Sequence, residues 1–149
     1  HRVHHADPEL DASSGLRFHP VEILLSLGIK VVAVVALGAP PEVVLVFEVL
    51  LNATSLFNHA NLALPAWLDR PLRLVLVTPD MHRVHHSEIR AEMDSDFGFC
   101  LSCWDRVFGT YVAEPARGQL GMVIGVRGYR GDGEQRIDRL LLQPLRDER

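Results

Sequence analysis

Two long apolar runs dominate the middle of the chain. The first, Val21 to Leu37, is broken by Glu22, Ser26, Gly28 and Lys30; the second, Val43 to Phe57, is interrupted by Glu48 and Asn52. Between them stands Gly38-Ala39-Pro40-Pro41, a strong turn signal. The pattern predicts a helical hairpin over residues 21–57. Each run is roughly 15 to 17 residues, against the about 20 that a spanning helix needs, and extension across the polar ends brings both within reach. Lys30 and Glu48 favour a soluble hairpin. The arginines argue the other way: the turn carries no basic residue, while Arg2, Arg17, Arg70, Arg73, Arg83 and Arg90 flank its outer ends. Basic residues collect on the cytoplasmic side of membrane helices, so both outer ends are expected there, with Glu48 facing the bundle interior.

Outside the hairpin the pattern is more broken. Residues 6–17 are polar and turn-rich. Pro65-Ala66-Trp67-Leu68 suits a segment re-entering at the membrane interface, and Leu72 to Val77 is a short apolar stretch ended by Thr78-Pro79-Asp80, where Thr78 or Asp80 is expected to cap a helix. Residues 88–96 are acidic, and Trp104 to Tyr111 is rich in aromatics. Past Glu114 the chain is rich in glycine and arginine, until Ile137, Leu140, Leu141 and Leu145 mark an amphipathic C-terminal helix. The expected organisation is a catalytic region over 1–112 and a C-terminal cytoplasmic extension over 113–149.

Composition changes this picture little. The 149 residues are one domain's worth of chain and 48% hydrophobic; the mean hydropathy is +0.11. A net charge of −4 gives no electrostatic case for nucleic acid. The single Cys100-x-x-Cys103 pair lacks the second pair of a zinc ribbon, and two small residues on one helical face is the simpler reading. No secretory signal peptide is expected within these residues. The chain starts at His1, inside a motif, so an N-terminal part is expected to be missing.

The candidate chemistry lies in the histidines. Residues 1–5 and 82–86 are the same pentapeptide, His-Arg-Val-His-His, which holds six of the eight histidines. On a helix, His82 shares a face with His85 and His86, as does His1 with His4 and His5. Such sets suit iron, zinc, copper or nickel, and two sets imply either two metals or one metal pair held from both sides. His59, between Asn58 and Asn61, is either a further ligand oriented by these carboxamides or a helix-terminal histidine with an asparagine cap. His19 precedes a proline that opens a helix, and a turn role suits it best.

Taken in order, His-Arg-Val-His-His, Arg-Phe-His-Pro, Phe-Asn-His-Ala-Asn, Thr-Pro-Asp-Met-His-Arg-Val-His-His-Ser and Trp-Asp-Arg-Val-Phe-Gly-Thr-Tyr resemble the fatty acid hydroxylase superfamily, also called the sterol desaturase family. The resemblance runs from His1 to about Tyr111. It implies an all-α, integral-membrane helical bundle with a cytoplasmic, histidine-rich di-metal cap; the basic residues, 15 with Lys30 the one lysine, point to a GC-rich bacterial genome, so the expected location is a bacterial inner membrane. His1, His4 and His5 match the second histidine box of that family and His82, His85 and His86 the third. His59 matches the additional histidine after the hairpin, and His19 matches a position of less certain ligand role. The first box is absent from this chain. Asp96-Phe97-Gly98 stands where the family more often has Asn-Tyr-Gly.

The resemblance further implies two iron ions, with zinc possible on purification, and an O2-dependent hydroxylation or desaturation of a lipid or sterol-like C–H bond. Electrons are expected from NAD(P)H through a partner redox protein, since no nicotinamide or flavin fingerprint is present. Asp94 and Asp96 are expected to hydrogen-bond ligand imidazoles. Two rivals stand beside this reading. A zinc hydrolase calls for a general-base carboxylate of the H-E-x-x-H kind, where both clusters here have Arg-Val. A non-catalytic protein keeping a structural metal would be marked by loss of box histidines, yet every histidine that can be matched is present.

Overall fold

The computed structural model describes residues 1–146. Among them there is no β-strand, only two isolated bridges, and the order is helical throughout: α1 Arg2–His5, α2 Pro20–Leu37, α3 Pro41–Asn58, α4 Ala66–Leu72, α5 Pro79–His85, α6 Arg90–Met93, α7 Cys103–Phe108, α8 Gly118–Gly121 and α9 Ile137–Leu142. Short 3-10 turns lie at Ala12–Leu16, Asp132–Gln135 and Gln143–Leu145.

The predicted hairpin is present, with both arms 18 residues long. Pro20 and Pro41 each open a helix, where the fixed φ of proline and its missing N–H cost nothing. Gly38 ends α2 in the left-handed region at φ 61°, and the paired bonds Gly38 N–H to Val35 O (3.2 Å) and Ala39 N–H to Val34 O (3.1 Å) satisfy the last carbonyls. No residue of α2 is buried, and in α3 only Ser55 and Asn58 are, both in its last turn. Both helices are long and apolar enough to cross a membrane. Leu24, Leu25, Val32, Val35, Leu45 and Val46 stand exposed on them, a surface that suits hydrocarbon better than water.

A second apolar surface lies beyond the hairpin. Val77 N–H donates to Cys100 O (3.0 Å) and Ser102 N–H to Val75 O (3.1 Å), pairing the segment after α4 with the entry to α7. Trp67, Leu74, Val75, Trp104, Val107 and Phe108, on these connected segments, are all exposed. Aromatic and aliphatic groups placed so suit a membrane interface, as the Pro65–Leu68 reading expects.

The packed interior is unusual for its polarity. Its apolar members are few (Val3, Ala6, Val77, Met81, Val84, Val126, Tyr129), while His4, His5, His59, His82, His85 and His86 are all buried with them. Residues past 113 fold back onto this interior. Glu88 N–H donates to Val123 O (2.8 Å), Gly125 N–H to His86 O (3.1 Å), and Arg2 reaches the carbonyls of Gln143 (3.3 Å) and Arg146 (2.6 Å). The C-terminal part is therefore a wall of the histidine region; its last three residues lie outside those described. The C-terminal helix is α9, followed by the Gln143–Leu145 turn. Thr78 stands at the N-cap of α5 as expected, but its side chain makes no cap hydrogen bond.

Candidate metal centre

Three helix ends bring the histidines together. α1 carries His4 and His5, with His1 at its N-cap; His59 is the C-cap of α3; α5 carries His82 and His85, with His86 as its C-cap. The ligand nitrogens fall into two groups, each within 4.8 Å of one another: His4, His59, His82 and His86, all buried, and His1, His5 and His85, of which His1 is exposed. The grouping cuts across the repeat. Each pentapeptide gives histidines to both groups. The groups interlock through the His5 and His86 rings, 4.5 Å apart and stacked at 25°.

In the four-histidine group the Nε2 atoms face one another: His4 to His59 at 3.1 Å, His59 to His82 at 2.9 Å and His82 to His86 at 3.2 Å. Neutral imidazole has one N–H and one lone pair, so several converging nitrogens place lone pairs against each other. A cation at their centre removes that conflict. The outward nitrogens support the same tautomer. His4 Nδ1–H donates to Ser14 O (2.9 Å), His59 Nδ1–H to Ser55 O (2.7 Å) and His85 Nδ1–H to Ser95 O (2.8 Å). Each such bond fixes the proton on Nδ1 and turns the Nε2 lone pair inward, the arrangement that orients metal-binding histidines. His1 Nδ1 is 2.7 Å from Glu22 Oε1, so a carboxylate on α2 plays this part for the one exposed member.

Electrostatics agree. Burial, with further lowering from His59, pushes His4 down to about 3. Burial also lowers His5, His59 and His85, and sets His82 and His86 well below the ordinary imidazole value. At neutral pH the buried imidazoles are uncharged and their lone pairs are available. The donor set fits a pair of borderline metal ions such as iron or zinc.

Several expectations about the surroundings are corrected. Asp94 pairs with Arg90 (2.6 Å) and hydrogen-bonds no imidazole. Asp96 is fully buried at φ 47°, its Oδ1 accepts from Val112 N–H (3.2 Å), and burial pushes its carboxyl up to about 7. The imidazole partners are instead the carbonyls of Ser14, Ser55 and Ser95. Asn58 donates to Phe99 O (2.6 Å) rather than to His59, and Asn61 is exposed. His19 lies outside both groups: it caps α2 by accepting from Val21 N–H (3.2 Å), and its Nε2 is 3.1 Å from Leu141 O. Cys100 and Cys103 are free thiols, with Cys103 opening α7.

Sequence reasoning missed the three serine carbonyls and Glu22. Backbone carbonyls leave no trace in residue identity. Asp105 was missed as well: its Oδ1 accepts from Phe97 N–H (2.7 Å) and the Thr110 hydroxyl (2.7 Å), and its Oδ2 from Gly98 N–H (2.8 Å). This holds the 96–98 turn, and Phe97 in it lies with its ring 5.5 Å from that of His85. Gly98 has no room for a side chain, since a Cβ would come within 2.6 Å of Asp105 Oδ2 and 2.8 Å of Leu101 O.

Fold and site together define an all-α membrane protein with a buried polyhistidine centre beneath an apolar hairpin. The chain belongs to the fatty acid hydroxylase family, whose model matches residues 1–110. It is similar to the ornithine lipid hydroxylase of Rhizobium tropici, 31% identical over 115 residues, or 77% of this chain and 34% of that protein. It is also similar to the alkylglycerol monooxygenases of Homo sapiens (32% identical; 76% of this chain, 24% of that protein) and Caenorhabditis elegans (29%; 76% and 22%). The chain thus spans about a third or less of the length of these relatives. No solved structure matches it.

Proposed function

We propose that this chain is the metal-binding part of a membrane-bound, O2-dependent lipid hydroxylase holding two iron ions. His4, His59, His82 and His86 hold one ion, and His1, His5 and His85 the other. The observation that carries the reading is the convergence of seven imidazoles, four of which (His1, His4, His59 and His85) have their outward nitrogens held by carbonyls or by Glu22. The family and the relatives, a lipid hydroxylase and monooxygenases by name, support a lipid substrate and an oxidation.

Bound iron supplies the redox chemistry that activates O2 for insertion of an oxygen atom into a C–H bond. The remaining work falls to the chain. The Ser14, Ser55 and Ser95 carbonyls and Glu22 orient four of the imidazoles, those of His4, His59, His85 and His1. A cavity of about 510 Å³ touches His1, His4, His59, His82 and His85 on one side and Ile23 and Leu51 of the hairpin on the other. It lets a lipid approach the centre from the membrane, with Phe18, Phe97 and Phe99 lining the wall. Electrons reach the centre from NAD(P)H through a redox partner protein, and the histidines face the cytoplasm of a bacterial inner membrane.

The test is isotopic. Intact protein loaded with iron and given lipid extract, reductant and labelled dioxygen is expected to yield a hydroxylated lipid carrying the label. A new hydroxyl derived only from water sinks the oxygenase reading, and a desaturated product without a hydroxyl sinks hydroxylation.

A further inference from the structure

Lys30 and Glu48 face each other across the hairpin, Nζ to Oε1 at 2.7 Å. They sit in the middle of two helices that are otherwise mostly apolar, and Lys30 is the only lysine in the chain. An ion pair in such a place is a poor stabiliser. Removing both charges from water costs as much as their attraction returns, and apolar replacements of similar size are often neutral or better. Ionisable groups within membrane segments more often mark the path of a substrate.

The surroundings of the pair point the same way. It forms part of the wall of two cavities. One, of about 510 Å³, runs to the histidines and carries further polar groups, Ser26, Asn52 and Ser55. The other, of about 430 Å³, lies between the helices toward their turn and is otherwise apolar, with Leu27, Val31, Val34 and Phe47 in its lining. Glu22, which touches His1, lies eight residues before Lys30 on α2, so the pair stands about 12 Å along the helix from the level of His1. Both side chains keep about a third of their surface open (34% and 37%). An ammonium has three donors and a carboxylate two acceptor oxygens, and their mutual bond uses one of each.

We infer that the Lys30–Glu48 pair recognises a neutral hydrogen-bonding group, a hydroxyl or a carbonyl-bearing ester or amide linkage, within an amphipathic lipid whose reacting carbon lies at the histidines. The inference rests on the lipid-hydroxylase reading and narrows its substrate class. The hydrocarbon beyond the linkage continues into the apolar cavity. A neutral group is selected because the pair is itself neutral: a carboxylate or ammonium brought between the helices would leave one charge uncompensated in a water-poor site. A plain hydrocarbon leaves the unused donors and acceptors unsatisfied.

The probes are N-decyl decanamide, with a mid-chain amide, and heneicosane, its hydrocarbon counterpart of equal chain length. Each competes with a spin-labelled lipid for the intact, metal-loaded protein in nanodiscs. The unmodified protein is expected to favour the amide by about tenfold, the effect of one charge-assisted hydrogen bond. K30M/E48M, which removes both charges and leaves no orphan, is expected to bring the two probes within about twofold at unchanged metal content. Absence of a preference in the unmodified protein overturns the inference without any variant. So does a preference that survives in K30M/E48M, which would make the pair a staple of the hairpin only. The readout is binding, so failure to turn over any lipid would sink the oxygenase reading and leave the preference standing.

Discussion

His59 Nε2 lies 2.9 Å from His82 Nε2, joining the end of the membrane hairpin to the second pentapeptide across 23 residues of chain. His59 also meets His4 at 3.1 Å, so one side chain links the hairpin to both copies of the repeat. Converting His59 to alanine is expected to remove the metal of the four-histidine group and spare the other, lowering metal content of the intact protein by about half. An unchanged metal content in the purified variant would remove His59 from the ligand set.

Glu22 offers a test of orientation without loss of a ligand. Its Oε1 holds His1 Nδ1 at 2.7 Å. Glu22→Ala is expected to weaken binding at the His1, His5 and His85 group by about 10- to 100-fold, the usual effect of losing a partner behind a metal-binding histidine. Glu22→Gln keeps an acceptor oxygen and should recover most of the affinity. Equal losses in the two variants, measured by metal titration, would show that charge rather than orientation matters.

Gly15 lies against the carbonyl end of α3. A Cβ there would stand 3.0 Å from Ser55 Oγ and 3.2 Å from His59 Nδ1. Gly15→Ala should therefore shift His59 away from Ser55 O and lower affinity at the four-histidine group, with little change at the other. Wild-type affinity at both groups would mean that the neighbours give way without moving the ring.

Acid should destabilise the metal-free protein. Burial holds His4, His5, His59, His82, His85 and His86 below 6.5, His4 at about 3. Below pH 6.5 the unfolded chain takes up protons at these rings and the folded one does not. Their contribution is thus complete above 6.5 and lost as the pH falls toward about 3. Asp96 acts in the opposite sense: its carboxyl is raised from 3.8 to about 7, so its contribution is present at low pH and lost as the pH rises through that window. Six rings outweigh one carboxyl. The thermal midpoint of metal-stripped protein in detergent is expected to fall from about pH 7 to about pH 5; a rising midpoint would put Asp96 in control.

The hairpin should cross the membrane once in each direction. Single cysteines at Glu42, by the turn, and at Glu9, near the histidines, both exposed, are introduced after Cys100 and Cys103 are changed to serine. An impermeant thiol reagent is expected to reach the two sites from opposite sides. Labelling of both from one side would place the hairpin along the membrane rather than through it.

The hairpin was legible in the chain itself, because helix length, Pro20 and Pro41 at the starts and Gly38 at the turn are local signals that need no partner. The two pentapeptides were legible too, since a repeated histidine spacing has few other uses. Tertiary structure decided how those histidines are shared. Helical spacing puts His82, His85 and His86 on one face, yet His85 joins His1 and His5 while His82 and His86 join His4 and His59. That division depends on where α1, α3 and α5 end relative to one another. The groups that hold the rings were hidden for a related reason. Ser14, Ser55 and Ser95 act through backbone carbonyls that every residue has, and Glu22 and Lys30 read as interruptions of an apolar helix until the fold sets them beside His1 and Glu48.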